Sequence, residues 1–226
     1  MKVTYYGHAC FGVEVANKTL LFDPFITGNE LAKGIDVKKV PADYVLISHG
    51  HEDHMADAAD IARRTGATIV SNYEVVVWFG KQGLTKGHPL NHGGGHTFDF
   101  GRVKFVNAIH SSSLPDGTYG GNPGGFVVET AEGNFYYSGD TALTMDMKLI
   151  GDSTKLKFAA LPIGDNFTMG VDDAIKAAEF VRCQDILGLH YNTFPPIQID
   201  SPAAVQKFKA AGQRLHLLPP GKSQNF

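Results

Sequence analysis

The segment His49-Gly50-His51-Glu52-Asp53-His54 gathers three imidazoles and two carboxylates within six consecutive positions. Side chains of these two kinds bind zinc, manganese and iron(II), so the segment predicts a metal site. It follows the apolar residues 44–48, which indicate a buried strand, and precedes a helical pattern that begins near Met55. A rigid strand end can aim several side chains into one cleft, whereas a solvated polar loop would leave this density of ligand types unexplained.

Three more candidate ligands, His110, Asp140 and His190, each stand just after an apolar run that is typical of a strand. Taken singly, His110 or His190 is better explained as a packed or loop histidine. Strands that share one edge of a sheet would bring all three side chains to the segment 49–54. The complete set therefore favours a metal centre.

The elements that must position these side chains follow a repeated order of strands and then helices. Strands are predicted at residues 2–6, 11–15, 19–22, 44–48, 68–71, 102–109, 125–130, 134–138, 158–162 and 186–189. Helices are predicted at residues 55–64, 74–81 (capped by Asn72) and 171–181, with a last one opened by Ser201-Pro202. This order predicts an α/β fold of two similar halves, in which two sheets pack face to face beneath outer helices.

Composition narrows the class of protein. The 226 residues fit one domain, 1–226, and the net charge of −3 argues weakly against nonspecific binding of nucleic acid. The first residues read as a strand and not as a secretory signal, and no apolar run reaches membrane-spanning length. Cys10 and Cys183 are too few for a disulfide framework, and Cys10 is expected to be a small buried hydrophobe. These features predict a cytoplasmic protein without a membrane partner.

The ordered ligand motifs resemble the five-motif signature of the metallo-β-lactamase superfamily. The matching motifs are His49-x-His51-x-Asp53-His54, His110, Gly139-Asp140-Thr141 and His190. The resemblance runs from Asp23-Pro24 to His190-Tyr191, which is nearly the whole chain. It implies a four-layer αββα sandwich with a binuclear metal site at one edge.

The resemblance also implies a role for each ligand. Its two metal ions would be held by His49, His51 and His110, by Asp53, His54 and His190, and by Asp140 as a bridge. Zinc is the expected metal, with manganese and iron(II) open as alternatives, because nitrogen and oxygen donors suit all three. Two ions about 3.5–4 Å apart would hold a hydroxide as the nucleophile. Asp53 and Asp140 are thus expected to serve catalysis as well as metal binding.

Differences from better-known branches of the superfamily narrow the choice of branch. Broad-spectrum zinc β-lactamases carry Cys where this chain has Asp140, and flavodiiron oxygen reductases carry Glu where it has His51. The C-terminal helical domain of hydroxyacylglutathione hydrolases is not expected here either. It is most similar to a compact branch of metal-dependent hydrolases akin to ascorbate-6-phosphate lactonases, through residues 6–11 and 190–195.

Two residues outside the ligand set are expected to support it. His8 would lie near the metals, where it binds substrate or protonates the leaving group; the alternative is a hydrogen-bonded core histidine. Asp23 is predicted to orient a ligand imidazole, with a loop-capping aspartate as the alternative.

Other polar segments carry weaker expectations. Asn166, Thr168 and Met169 are predicted to face the substrate, although Thr168 could equally cap a helix. His88, His92 and His96 recur every four residues, but the glycines at 93–95 make a helix implausible, so a mobile loop is favoured over a third metal site. The glycine-rich residues 117–125 lack the strand-to-helix context of a phosphate-binding loop.

The functional prediction is a binuclear hydrolase that acts on an ester-like bond, a lactone or a phosphodiester, of a small molecule. One rival is a nuclease acting on RNA or single-stranded DNA, which would need a basic track beside the cleft. The other is a non-catalytic metal-binding protein, although structural zinc sites are usually closed by four protein ligands. The sequence leaves the oligomeric state open, a homo-oligomer included.

Overall fold

The computed structural model describes residues 1–226 and contains two seven-stranded sheets. Along the chain the strands are β1 (Lys2–Gly7), β2 (Cys10–Val15), β3 (Lys18–Phe22), β4 (Tyr44–Leu46), β5 (Thr68–Asn72), β6 (Gly87–Leu90), β7 (Gly95–Phe98), β8 (Gly101–Asn107), β9 (Gly124–Thr130), β10 (Gly133–Tyr137), β11 (Leu156–Pro162), β12 (Asp185–Leu189), β13 (Arg214–His216) and β14 (Ser223–Asn225). The helices are α1 (Glu52–Met55), α2 (Ala58–Thr65), α3 (Tyr73–Lys81), α4 (Asp146–Ser153), α5 (Val171–Phe180) and α6 (Ser201–Ala210).

The two sheets repeat one plan. The first has the order β14-β1-β2-β3-β4-β5-β6, and the second has the order β13-β12-β11-β10-β9-β8-β7. In each sheet the early strands pair antiparallel, and those from β3 to β6 or from β10 to β13 pair parallel. Only the last strand, β14, returns to the first sheet. The predicted similarity of the two halves is therefore visible in the topology.

Three apolar clusters mark the interfaces between four layers. The central cluster lies between the sheets, where alternate strand residues such as Val3, Tyr5, Val103 and Phe105 point inward. A second cluster packs α2 and α3 on the first sheet, and a third packs α4, α5 and Phe208 of α6 on the second. The predicted αββα sandwich is confirmed.

Strand direction brings the site residues to one edge. Strands β1 and β3 both pair antiparallel with β2 and so run the same way, and β4 continues parallel to β3. By the same pairing β8 runs parallel to β10, which is parallel to β11 and β12. The carboxyl ends of these strands therefore coincide within each sheet. His8, Asp23, His49, His110, Asp140 and His190 all lie just beyond such ends.

The structure corrects one predicted helix and adds a helix that was not predicted. The single helix expected at residues 55–64 is two helices, α1 and α2, separated around Asp57, whose carboxylate accepts hydrogen bonds from the backbone of Ile26 and Thr27 at 2.6 and 2.9 Å. Asp53 and His54 consequently lie on a helical turn and not in a loop. Helix α4 escaped prediction, because its sequence carries only two core residues, Met147 and Ile150.

The histidines expected in a mobile loop are also placed differently. His88 pairs within β6 against Val70, and His96 pairs within β7 against Val103, so only His92 lies in the connecting turn. Backbone pairing with neighbouring strands overrides the local flexibility that the glycines indicate. The structure contains no helix with the length and apolar character that a bilayer-spanning segment needs.

Candidate metal centre

The first group of candidate ligands consists of His49, His51 and His110. Their ligand atoms all lie within 4.8 Å of one another, and His49 Nε2 is 2.9 Å from His51 Nδ1. The His110 ring lies 5.1 Å from each of the other two rings, measured between centroids. The turn after β4 and the end of β8 thus present three imidazole nitrogens to one point.

The second group contains Asp53, His54 and His190, with His8 beside them. Asp53 Oδ2 lies 3.9 Å from His54 Nε2 and 3.8 Å from His190 Nε2. Asp140 stands between the groups: its Oδ2 is 3.2 Å from His54 Nε2, 3.0 Å from His190 Nε2 and 3.7 Å from His110 Nε2. The structure therefore brings together all seven predicted ligands.

The donor atoms fit divalent cations. His54 Nε2 is buried and makes no well-oriented hydrogen bond, although Asp140 Oδ2 is close to it. Its other ring nitrogen, Nδ1, is already engaged by Asp23 at 2.7 Å. A buried ring nitrogen without a partner is costly, and a cation among the nitrogen and oxygen donors would satisfy it. Imidazole and carboxylate ligands without thiolate suit zinc, manganese or iron(II).

The charges of the cluster are strongly coupled. Burial lowers the pKa of His54, but the carboxylates of Asp140, Asp53 and Asp23 outweigh it and hold that pKa well above its usual value. Burial raises the pKa of Asp140, but the charges of His190 and His54 outweigh burial and hold that pKa well below its ordinary range. The Asp140 carboxylate thus stays ionised and places negative charge where a cation would bind.

Asp23 lies behind the candidate ligands and contacts the His54 ring. Its carboxylate accepts hydrogen bonds from His54 Nδ1 at 2.7 Å, from the backbone of Ser48 at 2.7 Å and from the Tyr137 hydroxyl at 2.5 Å. It is fully buried, and its φ of 38° lies in the left-handed region. Such strain costs about 1–3 kcal/mol and persists where surrounding contacts over-determine it. This placement favours the predicted orienting role over a loop cap.

The sequence missed two of the residues that act with Asp23. The Ser48 hydroxyl lies 2.9 Å from His49 Nδ1 and also donates to Asp23, so it links the carboxylate to a second ligand. The Tyr137 hydroxyl comes from the other sheet, 114 residues away. Only the position of Ser48 immediately before His49 hints at its role. Tyr137 carries no sequence signal, because a strand tyrosine is usually a core residue.

His8 is wholly buried among the ligands. Its Nε2 donates to Asp53 Oδ2 at 3.0 Å, and its Nδ1 lies 3.0 Å from Thr193 Oγ1. Burial first, and then the charge of His190, lower the pKa of His8 to about 4. A leaving-group acid must reach the substrate with a proton available near the working pH. The structure therefore favours the hydrogen-bonded histidine, which holds Asp53, over the predicted acid.

The three residues that were expected to face substrate differ in their exposure to solvent. Asn166 is exposed and Thr168 is partly exposed on the loop that follows β11. Met169 is only 1% exposed and packs in the apolar cluster under α4 and α5, so the expectation that it faces substrate is wrong. Thr168 does not cap a helix either, because α5 begins after Gly170 and that cap has no side-chain hydrogen bond.

His88, His92 and His96 form no third ligand group. The rings of His88 and His96 are 4.0 Å apart at the sandwich edge, and His92 Nε2 bonds to the carbonyl of Pro123 at 2.9 Å. No carboxylate joins them. These three histidines are thus separate from the metal centre.

Comparison with known proteins shows the family to which the chain belongs. The family described as "Beta-lactamase superfamily domain" matches residues 2–190. A UPF0173 metal-dependent hydrolase from Flavobacterium johnsoniae is 55% identical over 223 residues, which are 99% of each chain. The chain belongs to the UPF0173 family of metal-dependent hydrolases.

One further relative and one solved structure are also similar to this chain over nearly its whole length. A UPF0173 metal-dependent hydrolase from Christiangramia forsetii is 53% identical over 224 residues, again 99% of each chain. The solved structure of Igni18, a metallo hydrolase from the archaeon Ignicoccus hospitalis, is 35% identical with a TM-score of 0.89. The match covers 100% of this chain and 98% of Igni18.

Proposed function

We propose that this chain is a binuclear hydrolase that cleaves an ester-like bond, in a lactone or a phosphodiester, of a small molecule. The observation that carries the proposal is the place of Asp140, whose Oδ2 lies 3.0 Å from a nitrogen of one ligand group and 3.7 Å from a nitrogen of the other. A carboxylate within reach of both groups supports two ions. Zinc is the first candidate, with manganese and iron(II) as alternatives.

Two bound ions would supply a hydroxide nucleophile near neutral pH and stabilise negative charge on the scissile carbonyl or phosphoryl oxygen. The two ligand groups described above would hold one ion each. Asp23 and Ser48 fix the tautomer and the direction of the His54 and His49 rings, and His8 fixes Asp53. These contacts hold the donors in place before substrate arrives, which preorganises the site.

Exposure indicates the side from which substrate approaches. His54 is fully buried and Asp140 is 4% exposed, whereas His110 is 14% and Asp53 30% exposed. Solvent therefore reaches the centre over His110 and Asp53. The exposed side chains of Ile109 and Phe167 lie on loops at this end of the strands, and they would offer apolar contacts to the part of a substrate that does not react.

The test measures bound metal by elemental analysis together with hydrolysis of a panel of lactones, phosphodiesters and thioesters. We expect about two ions per chain and turnover of one substrate class. Asp140→Ala should lose metal and turnover, whereas Asp60→Ala, which changes a side chain that is 89% exposed, should keep both.

Three outcomes would contradict the proposal. Undiminished turnover by chelated protein or by Asp140→Ala would exclude a metal-dependent reaction at this centre. Salt-sensitive cleavage of RNA or single-stranded DNA, with no small-molecule turnover, would favour the nuclease. Tightly bound metal with no turnover of any substrate would favour a metal-binding protein without catalysis.

A further inference from the structure

Exposed apolar side chains stand beside Asp140 at the edge of the candidate metal centre. Ile109 and Phe167 are 52% and 55% exposed. Both belong to loops that are bonded to Thr141, the residue after Asp140. The Thr141 hydroxyl accepts a hydrogen bond from the backbone N–H of Ile109 at 2.9 Å, and the Thr141 carbonyl accepts one from the N–H of Met169 at 3.1 Å. These two apolar side chains are therefore carried on loops that are fixed to the segment bearing Asp140.

Aromatic rings border the other ligand group. The Phe194 ring lies 5.3 Å from the His8 ring and 6.2 Å from the Phe25 ring, measured between centroids. The His8 ring is in turn 4.1 Å from the His190 ring, and its Nε2 bonds to Asp53. Phe194 and Asp53 are both partly exposed, so an incoming molecule can reach both. Apolar groups thus border both parts of the metal centre.

The loops around the centre carry no lysine or arginine. The segments at this edge of the two sheets are 7–9, 23–29, 47–51, 108–123, 138–145, 163–170 and 190–200. The exposed charges beside the candidate ligands are instead negative. Glu52 precedes Asp53 on α1, and Asp165 stands on the same loop as Phe167. The field at the entrance is therefore set by carboxylates and by the ions that the centre would hold.

Two lysines adjoin these segments, and neither extends a cationic track to the ligands. Lys33 is paired with Glu30, and Lys222 stands in the turn before β14, the outer strand of the first sheet. Proteins recognise phosphate and carboxylate groups chiefly with arginine and lysine. A substrate with an anionic group beyond the reacting bond would meet carboxylates here, without a cationic side chain to offset them.

We propose that the substrate is an uncharged carboxylic ester or lactone whose remaining part is an apolar alkyl or aryl group. The ester bond would lie at the ligands, and the apolar part would pack against Phe194 or against Ile109 and Phe167. Phosphodiesters, polynucleotides and lactones that bear a phosphate group fall outside this class, because each adds negative charge beside Glu52 and Asp165. The inference rests on the proposed function and narrows its substrate.

The first experiment tests charge with two esters on the zinc-loaded protein. Para-nitrophenyl hexanoate and mono-para-nitrophenyl adipate have acyl chains of equal length and differ in one terminal carboxylate. We expect kcat/KM to be about 10-fold or more higher for the hexanoate ester. Raising the salt concentration should reduce this difference by screening the carboxylates, and it should leave the hexanoate rate unchanged.

A charge placed at the entrance should change this preference. Phe167→Lys should raise kcat/KM for the adipate ester about 5-fold or more and should not raise it for the hexanoate ester. The matched control is Leu149→Lys, which adds the same charge at a 68% exposed position of α4, on the outer face of the second sheet. Both rates of the control should equal those of the wild type.

A pair of lactones tests the apolar contacts. The compounds δ-nonalactone and δ-valerolactone share one ring and differ in an alkyl chain. Phe194→Ala should raise KM for δ-nonalactone about 5-fold or more, with little change in kcat or in the turnover of δ-valerolactone. Because Phe194 packs on His8, bound metal is measured first. If this variant loses metal or unfolds, Phe167→Ala supplies the comparison, since Phe167 is exposed.

The outcomes separate this inference from the proposed function. Metal-dependent turnover of the adipate ester, of bis(para-nitrophenyl) phosphate or of an oligonucleotide that equals or exceeds turnover of the hexanoate ester would overturn the substrate class and leave the hydrolase in place. Wild-type kinetics of Phe194→Ala and Phe167→Ala on both lactones would refute the apolar contacts. The proposed function itself fails if no compound is hydrolysed, or if Asp140→Ala hydrolyses them as fast as the wild type.

Discussion

Two histidine-rich regions of this molecule look alike in sequence and differ in chemistry. His49, His51 and His54 stand within one turn at the end of a strand, and His88, His92 and His96 recur every four residues. The first region meets ligands from three other strand ends. In the second, His88 and His96 face each other along two sheet edges, and His92 turns to a backbone carbonyl. Histidine spacing alone therefore does not make a metal site.

The difference lies in the carboxylates. Asp140, Asp53 and Asp23 surround His54 and raise its pKa well above the usual value, although burial opposes them. At the sandwich edge no carboxylate approaches His88, and burial followed by His96 lowers its pKa. One region concentrates negative charge among its imidazoles, whereas the other carries none. A dication would therefore be stabilised in the first region and not in the second.

The largest expected effect separates the two regions directly. Asp140→Asn should reduce metal affinity by well over ~100-fold, because changing even the outer partners of metal ligands costs about 10–100-fold. The double variant His88→Gln/His96→Gln should bind as much metal as the wild type. Titration with zinc and a competing chelator measures both. Loss of bound metal from the His88→Gln/His96→Gln variant would contradict this difference between the two histidine-rich regions.

A smaller effect is expected when Asp23 is changed. Asp23→Asn keeps the volume but removes the carboxylate that holds His54 Nδ1, Ser48 and Tyr137, so metal affinity should fall about 10–100-fold. The control is Asp99→Asn at the sheet edge, which bonds to the Tyr44 hydroxyl and should leave affinity unchanged. Equal affinity of wild type and Asp23→Asn would leave Asp23 with only a structural role.

The smallest expected effect is on the pH dependence of stability, through His88, which lies beside His96 at the sandwich edge. The pKa of His88 is lower in the folded state than its usual value of 6.5, so the unfolded chain binds this proton first as pH falls. Stability should therefore decrease as pH drops below about 6.5, until the folded-state pKa is passed. Denaturant unfolding of chelated protein from pH 7.5 to 5 measures it. His88→Gln should flatten this slope relative to wild type, and an unchanged slope would show that His88 contributes nothing.

Much of the architecture could be predicted because apolar periodicity follows from burial on one face. The strand pattern around Val103 and Phe105 and the helical pattern of α5 are both read from spacing, and both are present. The prediction was wrong where partners distant in sequence decide the outcome. Met169 was expected at the cleft but lies in the core, and residues 88 and 96 were expected in a loop but pair with β5 and β8.

The types of ligand, their order and their position after apolar runs were determined by the sequence alone, because a chain can only offer the donors that it carries. Tertiary structure decided what those donors face. The contact of Tyr137 with Asp23 joins residues of different sheets, and the bond between His8 and Asp53 spans 45 positions. The tertiary structure also leaves the buried Tyr136 hydroxyl without a hydrogen-bond partner. These outcomes depend on how two sheets pack, and local spacing contains no information about distances across that interface.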